Sequence, residues 1–308
     1  MGLVCEKVAY RGWPTCYRLA NQAVELIVTA DVGPRILRFA PLGEPNVFFE
    51  VEDDWGKKGG ETFRFYGGHR LWVAPETWER TYYPDNAAVA VSFENGVLRL
   101  LPPVETTTGI QKALQLRMAA ETGRVTVEHE LINCSQEPMH LAPWGITMLA
   151  PGGMGILPLP KAGAHAENLL PVTALNLWAY TNLADPRWTL EQGFVFLRQA
   201  QDPTGPQKIG LGMGPGWMAY AHADWVFGKR FAIEPKGAYP DLGSAGEMFT
   251  NESMLELESL GPLVSLGPNE SVTHVEYWAL LFGLSNTLET EPLKRDLIPS
   301  LERLFAAS

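Results

Sequence analysis

The stretch Val89-Ala90-Val91-Ser92-Phe93-Glu94-Asn95-Gly96-Val97-Leu98-Arg99-Leu100-Leu101 decides the fold class. Two runs suited to strands flank Asn95-Gly96, a dipeptide whose two positions both tolerate the positive φ of a type I′ turn, so the stretch reads as a hairpin. Downstream, Lys112 to Ala119 and Arg124 to Asn133 flank Glu121-Thr122-Gly123, with Leu114, Leu116 and Met118 alternating on one strand and Val125, Val127, His129 and Leu131 on the other. His129 therefore shares an apolar face. Upstream, Thr15 to Thr29 reads as strand, Asn21-Gln22 turn, strand, followed by strands over Arg35 to Ala40 and Asn46 to Val51. Further strands are predicted at Gln207 to Met213, Trp217 to Ala221, Trp225 to Ala232, Met254 to Ser259 and Ser271 to Leu281. Pro151 to Pro206, rich in Gly, Pro, Asn and Trp, reads as long loops crossing the mouth of a sheet. Helical spacing is confined to the tail after Thr290, where Leu297, Leu301, Leu304 and Phe305 fall on one face. This is antiparallel rhythm without βαβ units, and it predicts one all-β sandwich domain over residues 1–308 with a short C-terminal helix.

Charge narrows the partners. Lys and Arg number 24 against 35 Asp and Glu, a formal charge of −11, so the chain repels phosphate backbones and anionic lipid surfaces, and no nucleic-acid or membrane partner is expected. Met1 to Pro14 lacks a cationic start followed by an apolar run, and no stretch approaches the ~20 apolar residues of a membrane span, which makes the cytoplasm the expected location. Cys5, Cys16 and Cys134 are odd in number and widely spaced, as free thiols are.

Familiar nucleophile, phosphate and metal motifs are missing from the sequence. Gly210 to Gly216 is glycine-rich, but Trp217 and a strand follow where a phosphate-binding helix would begin, and Glu128-His129-Glu130 puts the His on the opposite strand face from both carboxylates. No metal or cofactor is expected. Two segments are denser in chemistry. Gly67-Gly68-His69-Arg70-Leu71-Trp72-Val73-Ala74-Pro75-Glu76 combines backbone freedom, a fork of donors, a flat apolar ring and a proton-exchanging imidazole. A tight turn with Arg70 paired to Glu76 is the plain alternative. In Thr250 to Ser259, alternation puts Glu256 and Glu258 on one face and Leu255 and Leu257 on the other. On a solvated face this pair is inert, whereas in a cleft repulsion and desolvation raise one pKa and make a general base. Lys229, Tyr239, Glu247 and Trp144 are weaker single signals.

These residues, in order along the chain, resemble the galactose mutarotase-like (aldose 1-epimerase-like) superfamily, in an uncharacterised branch. The resemblance rests on Val32-Gly33-Pro34-Arg35-Ile36-Leu37, Gly67 to Trp72 with Pro75-Glu76, His140-Leu141-Ala142-Pro143-Trp144-Gly145, Lys229-Arg230-Phe231, Tyr239-Pro240-Asp241, the Leu255 to Pro262 run, and Pro268-Asn269-Glu270. It implies a large twisted antiparallel supersandwich and cofactor-free interconversion of sugar anomers, in which a glutamate takes the anomeric proton while a histidine protonates the ring oxygen. By its similarity to the family's base-bearing strand, Leu257-Glu258-Ser259-Leu260 implies Glu258 as base, with Glu256 second. The family's acid does not carry over, because Trp144 stands in its place; His69 is the substitute acid, and His129 the next.

The expected function is thus a sugar-binding, aldose 1-epimerase-like enzyme with His69 and Glu258 catalytic. Arg70, Trp72, Glu76, Trp144, Lys229, Tyr239, Glu247 and Glu256 bind the sugar in this reading. The alternatives are a non-catalytic carbohydrate sensor, or a glycan hydrolase or lyase acting through Glu256, Glu258 or Glu76. Lys229, Arg230 and Arg70, if they converge, suit an acidic sugar.

Overall fold

The computed structural model describes residues 2–201, 205–282 and 288–306. Two antiparallel sheets, one of eleven strands and one of ten, pack face to face, and each hairpin expected from turn chemistry is present. Ala90–Glu94 and Val97–Leu101 pair across Asn95 and Gly96, whose φ values of 52° and 77° are those of a type I′ turn. The strands Ile110–Met118 and Arg124–Asn133 continue the ten-stranded sheet.

Between the sheets lies a largely apolar core. Leu26, Val28, Ile36, Leu71, Val73 and Leu257 from one side meet Leu114, Leu116, Val127 and Leu131 from the other. Phe39, Phe48, Phe227 and Trp278 form its aromatic centre, with ring centroids 5.4–6.3 Å apart and mostly edge-on. Truncating one of these aliphatic side chains, Leu257→Ala for example, costs about 2–5 kcal/mol by lost transfer energy plus the cavity left behind.

The outer face of the ten-stranded sheet is covered by the C-terminal helical segment. Leu293, Leu297, Ile298, Leu301 and Phe305 pack on Met154, Ile156, Trp217, Ala219 and Val226. The expected spacing holds at Leu297, Leu301 and Phe305, with Leu304 partly buried against the same cluster, although the segment begins with a wider-pitch turn over Leu293–Leu297 before the helix Ile298–Ala306. Two details differ from expectation. Residues 151–206 contain the strands Met154–Pro158, Leu175–Leu177, Trp188–Glu191 and Phe194–Arg198, which are too short to show a period of their own. The stretch from Asn46 to Val51 makes only two isolated bridges, Phe48 to Leu149 and Glu50 to Gly67. No helix among the described residues is long and apolar enough to cross a membrane.

The middle of the eleven-stranded sheet is the part that positions the site. Met139–Leu149 lies between His69–Ala74 and Leu255–Leu260, and beyond the latter come Gly246–Thr250 and Gln207–Leu211. Strand alternation sends every second side chain of these five strands outward, away from the core.

Candidate functional site

Alternation in His69–Ala74 turns His69, Leu71 and Val73 inward and Arg70 and Trp72 outward. Gly68 makes the entry to this strand possible: its φ is 73°, and a Cβ there would stand 2.1 Å from the carbonyl oxygen of Ile36. In register with Trp72 and Arg70 on the next strand are Trp144 and Ile146, and Ile146 in turn opposes Glu258 while Met148 opposes Glu256. One strand further, Glu247 stands directly opposite Glu258. Like charges so placed repel, and Lys208, diagonal to Glu247 on the next strand, resolves the conflict.

These outward side chains floor a cavity of about 500 Å³. Its floor is Arg70, Trp72, Trp144, Lys208, Glu256 and Glu258; its walls include Phe65, Glu76, Tyr82, Trp178 and Tyr180. Trp144 Nε1 and Lys208 Nζ both donate to Glu258 Oε2, each at 2.9 Å. Lys208 also lies 2.8 Å from Glu247 Oε2, and its ammonium sits over the rings of Trp144 and Trp178. Arg70 lies over Trp72 at 4.0 Å and 3.7 Å from Glu256 Oε1, too long for a hydrogen bond. Left without hydrogen-bond partners in this buried floor are Glu258 Oε1, Glu256 Oε1, and Nε and Nη2 of Arg70. Burial leaves such atoms costly unless something else meets them, so a polar ligand offering both donors and acceptors matches the floor.

The two carboxylates at the centre differ in surroundings. Burial, and then the charge of Glu258, raise the Glu256 pKa to about 7, with Arg70 pulling it down. Burial likewise pushes Glu247 well up, and Lys208 offsets this only in part. Arg70 is lowered by burial to about 10 and stays charged at neutral pH.

Several expected site residues lie elsewhere. His69, on the inward face, is fully buried between the sheets; its Nδ1 bonds Thr147 Oγ1 at 2.8 Å and its Nε2 bonds His129 Nε2 at 2.7 Å. The tautomers follow from the far end of this chain. The carbonyl oxygen of His274 can only accept, so His129 donates from Nδ1 and, when neutral, accepts at Nε2. His69 then donates from Nε2 and accepts Thr147 at Nδ1. Burial holds both imidazoles below their ordinary pKa, which keeps them neutral. His69 thus has both nitrogens committed and its back to the cavity, so it is not placed to protonate a ligand there; nor is His129, which faces it from the other sheet.

Lys229 belongs to the same inner layer. It donates to Glu276 Oε1 at 2.8 Å and to the carbonyl oxygen of Gly145 at 2.9 Å, with no path to the cavity. Glu276 also accepts Ser259 Oγ at 2.5 Å and Trp278 Nε1 at 2.6 Å. Burial alone would raise the Glu276 carboxyl, but Lys229 and the three nearby imidazoles hold it well below the usual range. Ligand-type atoms of His69, His129 and Glu276 lie within 4.8 Å of one another, each already engaged in these hydrogen bonds. Tyr239 is also displaced from the expected role: its hydroxyl accepts the Glu234 N–H, and its ring packs in the cluster behind Trp72 and Trp144. Arg230 donates to the carbonyl oxygen of Phe305, so the three cations expected to converge on an acidic sugar do not.

Arg70, Trp72, Glu76, Trp144, Glu256 and Glu258 are brought together as expected, with Glu247 just behind. Glu76 is held by the Tyr82 hydroxyl instead of by Arg70. Sequence reasoning missed Lys208, Trp178, Tyr82 and Tyr180. Lys208 carried one signal, a lone cation in a short apolar strand, Gln207-Lys208-Ile209-Gly210-Leu211.

The twisted antiparallel sandwich is a fold shared with solved structures, among them galactose mutarotase-like proteins. The Slr1438 protein of Synechocystis superposes with a TM-score of 0.59 at 9% identity, covering 90% of this chain and 99% of its own. A galactose mutarotase-like protein from Lactobacillus casei gives 0.57 at 8%, covering 91% and 100%, and a galactose mutarotase related enzyme from Lactobacillus acidophilus gives 0.53 at 8%, covering 89% and 99%. No protein-family model matches the chain, and no curated protein does.

Proposed function

We propose that the cavity binds a sugar and that the protein is an aldose 1-epimerase-like enzyme with Glu258 as base and Glu256 as acid. The observation that carries this reading is Glu258 itself: gripped on Oε2 by Trp144 and Lys208, with Oε1 left unpartnered, it lines an aromatic-walled cavity. Glu258 Oε1 takes the proton of the anomeric hydroxyl while protonated Glu256 gives its proton to the ring oxygen. The bond between the anomeric carbon and the ring oxygen breaks, leaving an open-chain aldehyde; the carbonyl turns, and reversal returns both protons. A pKa of about 7 suits Glu256 to this exchange near neutral pH. Arg70, whose guanidinium lies over Trp72, has Nε and Nη2 without partners, two donors that a sugar's neighbouring hydroxyls would meet.

The test is exchange NMR of α and β anomers across a panel of free aldoses, hexose phosphates and uronic acids, with wild type beside Glu258→Gln and Glu256→Gln. Faster exchange lost in both variants supports the reading. Saturable binding without faster exchange on any sugar would replace it with a carbohydrate-sensing role.

A further inference from the structure

The rings at the site do not stop at the cavity. Trp144 meets Trp72 at 5.3 Å, Trp72 meets Tyr82 at 5.0 Å, and Tyr82 stacks on Trp78 at 4.6 Å with only 30° between the planes. The first three line the cavity; Trp78, on the short helix that follows Glu76, is 78% exposed. A singly exposed hydrophobic side chain is ordinary, but Trp78 is stacked on a ring that lines the cavity, so its apolar surface continues the cavity wall. Phe65 and Tyr180, both cavity-lining, are each 43% exposed, so large aromatic surface gathers at this mouth.

We propose that Trp78, stacked on Tyr82, is the platform of an outer saccharide subsite, so that the preferred ligand is a sugar of at least two rings with its reducing end on the cavity floor. This rests on the sugar reading of the floor and extends it outward. The floor holds polar groups that match hydroxyls, while the outer rings Tyr82 and Trp78 offer flat apolar faces, which suit the C–H face of a sugar ring. The reducing ring meets Arg70, Glu256 and Glu258; the next lies over Trp78.

Calorimetric titration with glucose and galactose, and with the disaccharides cellobiose, maltose and lactose, tests this on wild type, Trp78→Ala and Trp78→Phe. We expect at least one disaccharide to bind roughly tenfold tighter than its monosaccharide, the worth of one stacked ring. Trp78→Ala should abolish that ratio with monosaccharide affinity unchanged, and Trp78→Phe should restore much of it. Monosaccharides binding as tightly as every disaccharide, or a ratio indifferent to Trp78→Ala, would overturn the outer subsite and leave the sugar reading standing. No binding of any saccharide would overturn both.

Discussion

At the scale of single residues, the site depends on two glutamates two positions apart on one strand whose neighbours set them to different tasks. Glu258 is clasped by Lys208 and Trp144, whereas Glu256 has only a distant Arg70 and a pKa of about 7. Glu258→Gln is therefore expected to lower the exchange rate about 10²- to 10⁴-fold, as loss of a general base does, with sugar affinity largely kept, read by NMR exchange and titration side by side. As the acid, Glu256 must carry its proton, so kcat/KM should fall about tenfold per pH unit above pH 7, and a profile flat from pH 6 to 9 would refute its role. Lys208→Met should damage binding and turnover together, because it leaves Glu247 and Glu258 opposed without the cation between them.

At the scale of elements, period-two alternation was the legible part. It placed Glu256 and Glu258 on one face of their strand, and the structure keeps them there. Applied as strictly to His69–Ala74, the same rule sets His69 with Leu71 and Val73, and so against the core; the density of chemistry in the segment outweighed its phase in the sequence reading. Lys229 is a similar case, in phase with Phe227 and Phe231. Lys208 was not legible because its role depends on Gln207–Leu211 lying two strands from Leu255–Leu260, a pairing set by distant segments. The inner layer makes its own prediction. Lys229→Met strips the cation from a wholly buried Glu276 and should cost about 3–5 kcal/mol in denaturant unfolding, while Lys229→Met combined with Glu276→Leu should cost clearly less.

At the scale of the whole molecule, one sheet carries the ligand face and the layer beneath it carries buried imidazoles, and the two respond oppositely to pH. His69, His129 and His274 have lowered pKa values in the folded state, His274 to about 3, so the unfolded chain binds more protons than the folded one below pH 6.5. The imidazoles' share of the stability should thus be complete above pH 6.5 and decline as pH falls toward 3, at up to about 1.4 kcal/mol per pH unit for each imidazole. Glu256, raised to about 7, acts in the other sense and contributes stability that is lost as pH rises from its ordinary value through 7. Thermal melts between pH 4 and 8 on wild type and Glu256→Gln separate the two: the variant should keep the acid-side loss and show a smaller decline toward pH 7, the raised Glu247 supplying what remains.

The sandwich and its outward-facing carboxylates were readable from hairpins and strand phase. The enclosure of the site was not, since Trp178 and Tyr180 reach it from a stretch with no period of its own. A crystal structure of the Glu258→Gln variant soaked with an aldose that the wild type binds tests the role of this cavity outright. A sugar ring should lie against Trp72 or Trp144, with its anomeric hydroxyl within hydrogen-bond distance of residue 258 and its ring oxygen facing Glu256. A sugar bound anywhere outside this cavity, with the floor of Arg70, Glu256 and residue 258 untouched, would contradict that role.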